Sequence, residues 1–183
     1  MAGNCIGLVE LTSIAAGFEV ADAMLKAAEV ELILSRTVCP GKFIVLVRGN
    51  VAAVTASVQA GESWGQGSVI DSFVIPNLHE SVFPALTGTG PHGTIDALGI
   101  LESFTVAALI EGADAAAKAA AVELLDIRLA VALGGKAFVT LTGSVSAVQS
   151  AIEAGAEVIS EKGVLVNRIV IPNPRPELIE EML

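Results

Sequence analysis

Cys39 stands where a thiol can do chemistry. It opens the run Cys39-Pro40-Gly41-Lys42, set between two apolar stretches, Glu31–Ser35 and Phe43–Val47. Proline holds φ near about −65° and glycine tolerates positive φ, so the run predicts a β-hairpin tip carrying the cysteine. Free cysteines more often sit in cores as small hydrophobes. Cys5, inside an alternating apolar stretch, is read that way. A single thiolate does not hold a metal cluster. A symmetry axis that gathers several copies of Cys39 changes this: a trimer supplies three thiolates and leaves a fourth position to a non-protein ligand.

Other chemistry is thin. His79 and His92 stand alone, and no spacing suggests a Ser–His–Asp or Cys–His set. Gly88-Thr89-Gly90-Pro91-His92-Gly93 matches a dinucleotide fingerprint letter for letter. That fingerprint must follow a strand and open a helix, and this stretch does neither, so it reads as linker. Pro40-Gly41-Lys42 is not a phosphate-binding loop, because the glycine spacing is wrong and no Ser or Thr follows the lysine. Asp22 and Lys26 lie one helical turn apart. They read equally well as an i,i+4 surface pair and as an edge contact between subunits. With no acid–base pair or nucleophile constellation in view, an enzyme is not expected.

Composition narrows the rest. The chain has 183 residues, a net charge of −10, 53% hydrophobic residues and only 16% charged ones. Such acidity argues against nucleic acid, whose affinity comes from Lys and Arg on phosphates. Aromatics at 4%, with no tyrosine, leave few stacking platforms for bases. No apolar run approaches the roughly 20 residues of a membrane span. The N-terminus lacks a basic region followed by an apolar block, so no secretory signal is expected. Two cysteines make no disulfide framework, which fits a reducing cytoplasm. The excess apolar surface is therefore expected to be buried between subunits as well as within them.

The elements that position Cys39 occur twice. Ile6-Gly7-Leu8-Val9-Glu10 recurs as Leu98-Gly99-Ile100-Leu101-Glu102, and Asp22, Lys26 and Arg36 recur as Asp114, Lys118 and Arg128, all 92 positions on. Past the tip the spacing is 94, pairing Lys42 with Lys136 and Gly49 with Gly143. At Ile75-Pro76-Asn77 and Ile171-Pro172-Asn173 it is 96. The position matching Cys39 is Val131, in a second tip, Leu129–Gly135, that is two residues longer and has no ligating side chain. In the first repeat the expected elements are a strand Asn4–Leu11 and a helix capped by Thr12 or Ser13 and running to about Ala28. Phe18, Ala21, Met24 and Leu25 are expected to share one helix face. The hairpin Glu31–Val38 and Lys42–Arg48 follows, then a helix about Val51–Ala60, a strand Val69–Ile75 and a short helix near Glu80–Leu86. The second repeat reads the same way: strand Ala97–Ser103, helix about Val106–Ala120, strands Glu123–Ala132 and Lys136–Thr142, helix about Val145–Ala156, strand Val164–Ile171. The order βαββαβ, twice, predicts an α+β fold of two tandem ferredoxin-like split βαβ domains in unpermuted order. They are placed at 1–88 and 97–183, with a linker at 89–96.

The repeated I-G-L-V-E-L-T-S-I…A-D-A-M-L-K-A-A start, the glycine-marked tip, the G-x-V-x-A-V helix start and the V-I-P ending resemble bacterial microcompartment shell domains. Two in tandem resemble the shell proteins that assemble as pseudohexameric homotrimers. The Thr37-Val38-Cys39-Pro40-Gly41-Lys42 tip is similar to that of the propanediol-utilisation-type tandem shell proteins. The resemblance implies a structural tile in a cytoplasmic microcompartment shell, with a [4Fe–4S] cluster held at the central pore by three Cys39 ligands, one per chain. It implies that Val38, Cys39, Pro40, Gly41, Leu133 and Gly134 line the pore and that Lys26 and Lys118 lie at tile edges. The implied partners are other shell proteins and encapsulated redox enzymes. The arginine that many single-domain relatives carry after V-I-P is absent, since Asn77 and Asn173 stand there. A metal-free tile whose pore passes small metabolites is the alternative.

Overall fold

The computed structural model describes residues 3–90, 95–130 and 134–180. The first repeat runs β1 (Cys5–Leu11), α1 (Ile14–Ala27), β2 (Glu31–Val38), β3 (Lys42–Gly49), α2 (Val51–Trp64), β4 (Val69–Ile75) and α3 (Val82–Leu86). The second runs β5 (Ala97–Ser103), α4 (Val106–Ala119), β6 (Glu123–Arg128), β7 (Ala137–Gly143), α5 (Val145–Glu161), β8 (Leu165–Pro172) and α6 (Pro176–Glu180). Each repeat makes a four-stranded antiparallel sheet, ordered β2-β3-β1-β4 and β6-β7-β5-β8. This is the split βαβ arrangement that the element order predicts.

Pattern explains placement. β1 lies between β3 and β4, and every one of its side chains is buried. A central strand covered on both faces reads as a nearly continuous apolar run. The α1 start obeys its cap: Ser13 is extended and its side chain accepts from the Ala16 N–H at 3.3 Å. The α1 face differs from expectation. Gly17, Val20, Ala21 and Met24 are buried, whereas Phe18 and Leu25 are exposed. The cause is Gly17, which lets Phe43 of β3 lie against the helix; a Cβ on Gly17 would fall 2.3 Å from the Phe43 ring. The Phe18 ring still touches Phe43, with centroids 5.1 Å apart.

Three further boundaries move. α2 extends to Trp64 and α5 to Glu161, beyond the expected Ala60 and Ala156. α5 has 17 residues against 14 in α2, so the second small insertion lengthens this helix. β6 ends at Arg128, short of the expected Ala132. Ala130 adopts φ +46°, outside the β region of regular strands.

The chain divides into two compact units that do not follow the repeats. The first comprises Met1–Leu78 with Thr105–Ala107 and Ala130–Lys136. The second comprises His79–Phe104, Ala108–Leu129 and Ala137–Leu183. In the second unit α3 packs on β6. Gly90 passes so close to β6 that a Cβ there would come 2.0 Å from the Leu125 carbonyl oxygen.

The Gly17–Phe43 pair has an inverted counterpart. At the matching positions the second repeat has Leu109 and Ala137, both fully buried. One repeat is small on the helix and large on the strand; the other reverses the sizes. Gly17→Leu alone should therefore overpack the first unit and destabilise it by about 2–3 kcal/mol, while Phe43→Ala alone should open a cavity costing about 3–5 kcal/mol. The double variant should lose clearly less than the sum, as chemical denaturation of all three would show.

Candidate functional site

The first hairpin forms as its turn residues dictate. Val38 pairs with Lys42, which leaves a three-residue loop, Cys39-Pro40-Gly41, with a cis Cys39–Pro40 bond and Gly41 at φ +75°. Cys39 is a free thiol, half-buried, and Pro40 and Gly41 are exposed, whereas Val38 is buried. Nothing lies within 4 Å of where a Cβ on Gly41 or on Gly134 would be. Gly41 and Gly134 therefore stand in open space.

Within the first unit the two tips meet. The Cys39 backbone N–H donates to the Ala130 carbonyl oxygen at 2.8 Å. Gly135, at φ +89°, lies against Pro40, where a Cβ would come 2.6 Å from Cδ of the proline. Of the six residues expected at a pore, Val38, Cys39, Pro40, Gly41 and Gly134 thus belong to one pair of adjoining tips. Leu133 lies outside the described residues, as does Val131.

The root of the tip is held by a group that the sequence reading passed over. Glu10 is fully buried in β1. Its Oε1 accepts from Lys42 Nζ at 2.9 Å, and its Oε2 accepts from the Val106 and Ala107 N–H groups at 2.8 and 3.1 Å. A carboxylate is thereby set on the first turn of α4, where the helix dipole and unpaired amides favour negative charge. Thr105, just before it, donates its hydroxyl to Asp71 Oδ2 at 3.3 Å. A signal was present: an acid within an apolar strand, Glu10, that recurs as Glu102, and a lysine directly after the hairpin tip, Lys42, that recurs as Lys136.

The two lysines expected at edges differ. Lys26 pairs with Asp22 at 2.6 Å, both well exposed, and borders a groove lined by Ala23, Ala60 and Trp64. Such an exposed pair is worth only a few tenths of a kcal/mol. Lys118 pairs with Asp114 at 2.5 Å, but this aspartate is buried and also accepts the His79 backbone N–H at 2.8 Å. The same sequence motif is a surface pair in one repeat and a structural anchor in the other. Cys5 is buried as expected, and burial pushes its thiol pKa up. Among the described residues, no group of three or more His, Cys, Asp or Glu side chains is arranged to hold a metal ion. No described helix is long and apolar enough to cross a membrane.

Two split βαβ domains in tandem, with tips brought together, define a class, and comparison with known proteins identifies it. The BMC domain model matches residues 5–78 and again 97–174. The bacterial microcompartment shell protein PduT of Citrobacter freundii is 44% identical over 180 residues, covering 98% of each chain. A crystal structure of a microcompartment protein from Desulfitobacterium hafniense superposes with a TM-score of 0.87 at 51% identity, over 96% of this chain and 98% of that one. The carboxysome shell protein CsoS1A of Hydrogenovibrio crunogenus is 40% identical over 89 residues, covering 46% of this chain and 92% of its own. The chain belongs to the BMC-domain family, as a tandem-domain shell protein of the bacterial microcompartment, a structural component and not an enzyme.

Two outcomes follow from this geometry. Lys42→Met strands the buried Glu10 carboxylate without its cation and should lower stability by about 3–5 kcal/mol, read from the denaturant midpoint. In native, metal-free protein, iodoacetamide should modify Cys39 at least about tenfold faster than Cys5, because the thiolate is the nucleophile and Cys5 is both enclosed and harder to ionise. Peptide mass mapping over a time course reads both rates.

Proposed function

We propose that three copies of this chain close into a flat pseudohexameric tile and that the first-repeat tips ring its central opening. Cys39 then holds a [4Fe–4S] cluster there, one thiolate per chain, with a non-protein ligand on the fourth iron. The observation that carries this reading is a half-exposed free thiol on a loop tip whose Gly41 stands in open space. The donor chemistry fits, since thiolates are the usual ligands of iron–sulfur clusters. The donor number fits only an assembly, because the described residues of one chain contain no ligand group of three.

The chain's own residues do the positioning. Pro40 and Gly41 shape the loop, the Cys39 N–H is tied to Ala130, and Lys42 anchors the loop's root to Glu10. A cluster bound there supplies one-electron chemistry at the opening, which suits electron relay, or hand-over of a cluster, across the shell. The exposed Lys26 and the half-exposed Lys118 face neighbouring shell proteins at the tile edges, and encapsulated redox enzymes are the electron partners.

Anaerobic reconstitution followed by iron and sulfide assay should give about four of each per three chains, with an EPR signal after reduction. Cys39→Ser should abolish both and leave the oligomer's mass unchanged. Colourless protein whose Cys39 remains fully open to alkylation after that treatment overturns the cluster and leaves a metal-free opening for small metabolites.

A further inference from the structure

One glutamate recurs in both repeats and finds a partner in only one. On α4, Glu111 forms an ion pair with Lys162, which caps α5, and both side chains are half-buried. The equivalent on α1 is Glu19, 92 positions earlier. Gly67 and Gly163 turn the chain at positive φ just past the two helices, so the position matching Lys162 is the uncharged Gln66. Among the described residues, the Glu19 carboxylate has no hydrogen bond or ion pair. It lines a groove of about 480 Å³ between α1 and α2, together with Trp64, which is 69% exposed, and the small Ala23 and Ala60. Asp22, also at the groove, is already engaged by Lys26. An indole face attracts a cation placed within about 6 Å of its centre, and a neighbouring carboxylate adds direct charge. The matching face of α4 is open too, with Ala115 half-buried and Ala119 exposed, so neither repeat spends this face on its own packing.

We propose that this groove is a docking site for a lysine side chain carried by another protein. The ammonium takes the place against Glu19 that Lys162 takes against Glu111. The occupant is a lysine because the second repeat fills the matching site with one. Lysine also buries its methylene stem along apolar surface, which Trp64 and the alanines provide. It is presented by a polypeptide because the groove far exceeds one ammonium and its stem in volume, which leaves room for the backbone that carries them. The net charge of −10 draws a basic partner toward this chain. The inference is independent of the cluster and of the closure of the tile.

Trp64 is the only tryptophan, so its emission reports on the groove alone. The full chain is titrated with a short alanine-based helical peptide bearing lysines at i, i+4 spacing. Emission should shift to the blue and saturate, and Glu19→Gln should weaken binding at least about fivefold. Glu157→Gln removes the same charge from an exposed position on α5 and should change the affinity less than about twofold. Gln66→Lys supplies the cation from the chain itself and should block the peptide. Equal weakening by Glu19→Gln and Glu157→Gln overturns the inference, as does a wild-type emission that the peptide leaves unchanged. Binding of n-butylammonium as tight as that of the peptide overturns the protein partner and leaves a small amine as the occupant.

Discussion

A buried carboxylate ties together the parts of this protein that matter. Glu10 has no contact with solvent, and a lysine and two helix amides surround its carboxylate and satisfy it there. Each partner belongs to a different segment. Lys42 begins the strand that leaves the cysteine tip, and Val106 and Ala107 begin the first helix of the other repeat. Ion pairs of this kind add little net stability over an apolar substitute, but a half-made one is very costly. Their usefulness lies in excluding alternatives: any arrangement that separates the three segments leaves a charge stranded. The position of Cys39 follows from that constraint, with the Ala130 carbonyl tying down the other end of the same loop.

The duplication explains how one tip can carry a thiol, Cys39, where the matching position of the other is Val131. Identical subunits around a sixfold axis would present six identical tips. A fused pair breaks that equality, and each half can then specialise. The structure records such divergence at several points. Asp22 stays on the surface, while Asp114 is drawn inward to hold a backbone amide. β2 is open and β6 is covered. The second tip is longer, with Ala130, Gly134 and Gly135 all at positive φ.

Much of the fold was legible in the chain itself. Period-two apolar runs, a Ser cap and a Pro-Gly turn each specify local geometry with little help from distant residues, and the split βαβ order follows from them. Cys39 was legible as well, because turn chemistry places it without tertiary information. What escaped was long-range. The α1 face was misassigned because Phe18 obeys helical periodicity, yet the site it would fill is taken by Phe43, far away in sequence. Glu10 was overlooked because an acid in a strand looks like a solvent-facing alternation, and only three-dimensional structure reveals the amides waiting for it. β6 was drawn too long because apolar composition continues past Arg128, while the backbone turns at Ala130.

The inverted sizes at Gly17–Phe43 and Leu109–Ala137 also bear on how such a gene can change. Two similar halves within one reading frame invite gene conversion, in which one copy overwrites part of the other. A short tract that reached only one member of either couple would leave two bulky groups colliding or a hole between them. Only a tract long enough to carry both codons transfers a workable core. The packing therefore acts as a linkage barrier, preserving the individuality of each half against homogenisation.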